Sequence, residues 1–138
     1  MTSYLVDTDV FSEPAKRRPA PQVVQWLSEH ESRLYLSAIT IGELKRGIER
    51  LPQGERRAAL DDWLQRICRT MKGRIWSFNA GVAQVWGQLK AKWEADGLVV
   101  PSLDSQIAAT AHRHKLTLVT HNTRHFGRTG VRLIDPFE

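Results

Sequence analysis

The chain has 138 residues, 41% of them hydrophobic and five of them Trp, enough for one core and short for two. Charged residues at 25% and sustained periodicity exclude a disordered chain, and no apolar run approaches the roughly 20 residues of a membrane span. Cys68 is the only cysteine, which excludes an intrachain disulfide, and the first seven residues lack the basic region and apolar length of a signal peptide. One domain spanning 1–138, in the cytoplasm and with no membrane partner, is the expectation.

The net charge of +5 is unevenly spread. Residues 45–74 hold nine Lys/Arg against four acids, and residues 112–132 hold five Lys/Arg, four His and no acid. The remainder carries six Lys/Arg against eleven acids. Two basic segments therefore flank the acidic positions, as a nucleic-acid-binding surface requires, although an Arg-rich solvated helix face accounts for 45–74 equally well.

In chain order, residues 3–7 read as a buried first strand. Thr8 to about Lys16 reads as a short helix stopped near Pro14 or Pro19, and Arg17-Arg18-Pro19-Ala20-Pro21 as a loop. Pro21 suits the first turn of a helix running to about His30, with Val23, Val24 and Leu27 inward. Residues 33–37 form a second strand. Ile41, Leu44, Ile48 and Leu51 have helical spacing, broken by Pro52-Gln53-Gly54. Leu60, Trp63, Leu64, Ile67, Cys68 and Met71 make the clearest amphipathic helix, ended by Lys72-Gly73. Arg74 to Phe78 is a third strand. Asn79 caps a long helix carrying Val82, Val85, Trp86, Leu89 and Trp93 on one face, stopped at Gly97. Ser102 is the expected cap of a helix from Leu103 to about His114, whose face Leu103, Ile107, Ala108 and Ala111 is small enough to lie close on a sheet. Leu116–Thr120 and Val131–Ile134 are the last strands. Alternating strands and helices predict a three-layer α/β/α sandwich on a mostly parallel sheet of about five strands.

Three acids stand where such a sheet gathers ligands. Asp7 ends the first strand, Glu43 lies one turn into the helix after the second, and Asp104 opens the alanine-rich helix. Each has a plain alternative reading as a helix cap or a first-turn acid. Together, at the carboxyl ends of parallel strands, they repel one another unless a cation joins them, and a hard divalent ion suits an all-oxygen site. Asp9, two residues after Asp7, is placed to face the same ion. Thr120 and Asn122, in the polar stretch after the fourth strand, suit hydrogen bonds to a water or a phosphate. His121 and His125 are spaced four apart with His112 and His114 nearby. Zinc is a weaker reading there, since no cysteine is close and His112 and His114 point to different sides of a helix.

Four stretches carry a resemblance: L-V-D-T-D-V-F-S-E at 5–13, L-S-A-I-T-I-G-E-L-K-R-G-I at 36–48, V-P-S-L-D-S-Q-I-A-A-T-A at 100–111 and T-L-V-T-H-N-T-R-H-F-G-R-T-G-V-R-L-I-D-P-F at 117–137. In this order and over nearly the whole chain, they resemble PIN-domain ribonucleases, most closely the VapC/FitB-like toxins of toxin–antitoxin pairs. The resemblance implies a Mg²⁺- or Mn²⁺-dependent endoribonuclease, usually dimeric, held inactive by a cognate antitoxin. It matches Asp7, Glu43 and Asp104 to the acidic metal-binding and catalytic positions. Related chains commonly have Asn at the position of Asp9, and an acid at the position of His125 or Asn122, so the fourth acid is missing here. Asp9 compensating that charge, His125 holding a water, and weakened catalysis are the alternatives.

Chemically, Asp7 and Asp104 are the expected direct ligands, with Glu43 completing the shell or orienting water. Asn122, Thr120 and His125 would position the phosphate or water, and Arg46 would reach the RNA backbone. Two other classes remain open. An aspartyl-phosphate phosphatase has D-x-D-x-(T/V) after its first strand, but Phe11 occupies the fifth position. A non-enzymatic RNA- or partner-binding module with a decayed site would account for the missing acid.

Overall fold

Burial on both faces marks the central strands. Every residue of β1 (Tyr4–Val6) and β4 (Thr117–Val119) is buried, as parallel strands covered by helices on each side must be. The computed structural model describes residues 1–138. With β2 (Leu34–Ser37), β3 (Ile75–Trp76) and β5 (Leu133–Ile134), these strands form one sheet in the order β3-β2-β1-β4-β5. All pairings are parallel, with Tyr4 beside Leu34 and Leu5 beside Leu118. No helix is long and apolar enough to cross a membrane.

Strand alternation divides the interior into two cores. Tyr4, Val6, Leu36 and Val119 face one side, covered by α2 (Pro21–Glu29), α3 (Ala38–Glu49) and α4 (Glu55–Thr70) through Val23, Leu27, Leu44, Ile48 and Leu64. Leu5, Tyr35 and Leu118 face the other, covered by α5 (Ala80–Ala95), α6 (Ser102–Arg113) and α7 (Thr123–Phe126) through Trp93, Ile107, Ala108, Ala111 and Phe126. Leu5 and Leu118 are wholly buried, each stabilising the fold by about 2 kcal/mol relative to exposure. The expected three layers are present, with the sheet entirely parallel.

Several local expectations differ from the structure. The segment after β1 is not one helix: α1 (Thr8–Phe11) stops at Ser12 and a 3-10 turn follows at Glu13–Ala15, because Pro14 lacks the N–H an α-helix would use. Buried Glu13 holds the next loop instead, accepting from the Ala20 N–H at 2.9 Å and pairing with Lys16 at 2.7 Å. Ser102 is the first helical residue of α6 rather than its cap, Pro101 preceding it. Leu103 is exposed, and the buried face turns to Ser105, Ile107, Ala108 and Ala111. Trp86 Nε1 donates to Ser105 Oγ at 2.9 Å, which ties α5 to α6. The polar stretch after β4 also folds into the short α7, anchored by wholly buried Phe126.

Candidate active site

The strand order reverses direction at β1, so the crevice between β1 and β4 opens at their carboxyl ends. Asp7 and Thr120 stand on either side of it. Asp7 leaves β1 in extended conformation and caps α1, its Oδ1 accepting from the Thr8 N–H at 2.8 Å. Its Oδ2 accepts from Thr120 Oγ1, also at 2.8 Å, and the Asp7 N–H donates to the Val119 carbonyl. The carboxylate is thus fixed by two donors at 3% exposure. Burial, the neighbouring Asp9 charge and, more weakly, Asp104 push its pKa up to about 7, against the two hydrogen bonds. Burial also raises Asp9. Asp9 Oδ2 accepts from the His121 N–H at 3.0 Å, while its buried Oδ1 has no protein partner.

Glu43 reaches the edge from α3, which Ser37 caps by accepting from the Ile39 N–H. Thr8 Oγ1 donates to Glu43 Oε1 at 2.7 Å and lies 3.2 Å from Thr40 Oγ1, so a threonine links the Asp7 and Glu43 segments. Asp104 arrives differently from the other two. It follows α5 rather than a strand, and reaches the carboxyl edge because α6 runs back from there toward the start of β4. Its Oδ2 meets His125 Nδ1 at 2.6 Å. Asn122 acts through its backbone, the N–H donating to Thr120 Oγ1 at 3.0 Å. Its exposed side chain makes no hydrogen bond within the protein. Arg46 is exposed one turn beyond Glu43 and pairs with no acid.

The acids therefore share one edge, but no three of the Asp, Glu, His or Cys side chains form a ready-made ion cluster. Glu43 is occupied by Thr8 and Asp104 by His125. The histidines do not converge either: His125 faces Asp104 and His121 faces Asp135 at 3.0 Å. That arrangement overturns the zinc reading of the His pair. Sequence reasoning missed Thr8, Thr40 and Asp135. Thr8 had a visible signal, a hydroxyl between two acids, whereas Asp135 enters only through the pairing of β5 with β4.

The model of the PIN-domain family matches residues 4–131. The chain belongs to the PIN-domain family. This PIN domain is 37% identical over 136 residues to the plasmid stability protein StbB of Pseudomonas syringae pv. tomato, covering 97% of this chain and 98% of that protein. It is 37% identical over 135 residues to toxin FitB of Neisseria gonorrhoeae, covering 96% and 97%. It is also 33% identical to a VapC ribonuclease of Sinorhizobium fredii over 97% of each chain. Among solved structures, the FitAcB crystal structure from N. gonorrhoeae superposes with a TM-score of 0.92 at 35% identity, covering 98% of this chain and 99% of that one. DNA-bound VapBC from Salmonella typhimurium gives 0.80 at 28%, covering 99% of each. PIN-domain ribonucleases generally depend on a divalent metal.

Proposed function

We propose that residues 1–138 act as one nuclease unit, the ribonuclease toxin of a toxin–antitoxin pair. It cleaves RNA phosphodiester bonds in the cytoplasm with Mg²⁺ or Mn²⁺. The observation that carries this reading is Asp7, a buried carboxylate pushed up to about 7 by burial and by the neighbouring Asp9 and Asp104 charges. Asp9 Oδ1 beside it lacks any partner. Negative charge confined without a counterion is the electrostatic demand that a cation meets, and the donors are all oxygen, as Mg²⁺ and Mn²⁺ prefer. Asp7, Asp104 and Glu43 would hold the ion, with Thr8 and His125 releasing their acids to do so. When bound, the ion supplies Lewis acidity and a more acidic water.

The chain's own residues do the rest. Thr120 fixes the Asp7 carboxylate, and through the Asn122 N–H it also fixes the turn that opens α7. Asn122 presents a free amide to the scissile phosphate or water. His125, beside Asp104, occupies the place of the absent fourth acid and orients Asp104. Arg46 and the cations of 112–132 attract the RNA backbone. The solved complexes that this fold resembles include VapBC with DNA, which supports a cognate antitoxin as partner, and a homodimer is the expected assembly.

The test is cleavage of total bacterial RNA with Mg²⁺, with Mn²⁺ and with EDTA, for the wild type and Asp104→Asn. Discrete metal-dependent bands that fall by about a hundredfold or more in the variant are expected, since residues that merely support metal ligands are already worth about 10–100-fold. Equal cleavage by the variant overturns the site, and metal-independent cleavage overturns the chemistry.

A further inference from the structure

The basic segment 112–132 does not lie on one surface. His121, Arg124 and His125 follow β4 at the catalytic edge, whereas His114, Lys115 and Arg132 precede β4 and β5, at the amino ends of the strands. There Lys115, Arg132 and His114 line a groove of about 580 Å³ together with Tyr35, Trp76 and Thr117. A second depression of about 480 Å³ shares Lys115 and Arg132 with it. No Asp or Glu lines either one. Neither cation is among the paired Lys and Arg residues. One wall is aromatic: Trp76 stacks on His114 with centroids 3.6 Å apart and on Tyr35 at 6.0 Å. Trp76 Nε1, which can only donate, finds no acceptor in the protein.

The backbone at Lys115 adds an independent observation. The Lys115 N–H donates to the His112 carbonyl and the Leu116 N–H to the Ala111 carbonyl, the double bond pattern that closes a helix through a left-handed residue. Helix α5 ends the same way, and there Gly97 takes the left-handed position with φ 72°. At the end of α6 the position is held by Lys115 with φ 55°, the only non-glycine residue of positive φ in the chain. A side chain is kept where glycine is the less strained choice. Lys115 lines both depressions, and its ammonium is in no ion pair.

We propose that this groove, at the end of the sheet opposite the acids, binds a single-stranded segment of RNA. Its backbone phosphates lie on Lys115 and Arg132, and a base lies against the aromatic wall. Aromatic platforms beside unpaired cations are how single strands are held without sequence preference. That the polyanion is RNA rests on the nuclease reading above; the groove's charge does not.

The experiment measures binding of a fluorescein-labelled single-stranded RNA of roughly 12 nucleotides by anisotropy. It runs in EDTA across a salt series for wild type, Lys115→Gly and the Lys115→Gly/Arg132→Gln double variant. Lys115→Gly is expected to melt at or above the wild-type temperature, because glycine relieves the left-handed strain, and yet to bind RNA more weakly. The double variant is expected to bind about tenfold or more weakly near 0.1 M salt, its log–log salt slope shallower by about 1.4, or about 0.7 per phosphate lost. Unchanged affinity and slope overturn the proposal. So does weaker binding by Lys115→Gly accompanied by a lower melting temperature, which marks a structural role. A changed oligomeric mass at unchanged RNA affinity overturns it too, placing a second copy in the groove. Cleavage of total RNA by the wild type is scored separately. Lost binding in the variants with no wild-type cleavage upholds the groove and sinks the nuclease reading; the converse does the opposite.

Discussion

Asp7 combines two demands that conflict. In the proposed role it must be fixed, which the Thr8 N–H and Thr120 hydroxyl accomplish, and it must be charged to hold a cation, which burial beside Asp9 and Asp104 opposes. The folded-state pKa is raised, so between the ordinary value of 3.8 and about 7 the folded protein binds more protons than the unfolded chain, and stability rises as pH falls through that window. The metal-free protein is therefore expected to be more stable at about pH 5.5 than at about pH 8, by about 2 kcal/mol from this group, with Asp9 acting in the same direction. Urea denaturation at the two pH values measures it. Asp7→Asn should remove most of that difference and raise stability at the higher pH, while abolishing cleavage. Asn caps a helix as well as Asp does. A variant less stable than wild type at the higher pH would show the carboxylate to be a structural asset instead. The placement of Asp7, Glu43 and Asp104 at one sheet edge is legible in the sequence, because Asp7 follows the first strand, Glu43 lies in the helix after the second and Asp104 in the first turn of α6. The Thr8 bridge and the His125–Asp104 contact are not, since both depend on side chains 35 and 21 residues apart meeting across the edge.

At the scale of elements, the site depends on how closely α6 lies on the sheet. Ala108 and Ala111 are wholly buried on that face, and the α5 tie through Trp86 and Ser105 holds the helix from behind. Asp104 in the first turn moves with the helix. Ala108→Leu is expected to lose about 1–3 kcal/mol through overpacking. It should also lower cleavage more than the residual folded fraction accounts for, because α6 is displaced from Asp7. Activity per folded molecule, with folding read by circular dichroism, separates the two effects. The alanine pattern revealed this close-packed helix, and the long apolar faces of α4 and α5 were equally plain. The first turn differs by one residue: Leu103 continues the helical spacing, yet its side chain is exposed rather than part of the buried face. α7 is hard to read in the sequence because its four residues bury a single apolar side chain, Phe126, and so show no amphipathic period.

For the whole molecule, the proposed cation site links ion binding to the fold. At about pH 8 the ionised cluster destabilises the native state, and any ion binding only that state adds stability as its concentration rises past its dissociation constant. Titrating MgCl₂ or MnCl₂ at that pH should raise the melting temperature progressively, by several degrees at about a hundred times the dissociation constant. EDTA should reverse it, and Asp7→Asn should show little response. Equal responses in both proteins would place the ion elsewhere. The three-layer architecture itself followed from the alternation of apolar runs. The strand order did not: nothing between residues 4 and 120 announces that the first strand will lie between the second and the fourth.

That order bears on when the protein becomes able to act. The Asp7 carboxylate is held by a hydroxyl 113 positions later in the chain, and β1 has β4 as one of its two neighbours. During synthesis the amino-terminal three-fifths can settle its helices while the crevice still lacks one wall. Long-range parallel pairing is slow to form in any case. A chain interrupted between residues 105 and 116 carries Asp7, Glu43 and Asp104 but lacks the β4 strand that lies beside the first. The carboxyl-terminal sixth of the chain thus supplies the last wall of the crevice, and a growing chain lacks that wall until the segment is made.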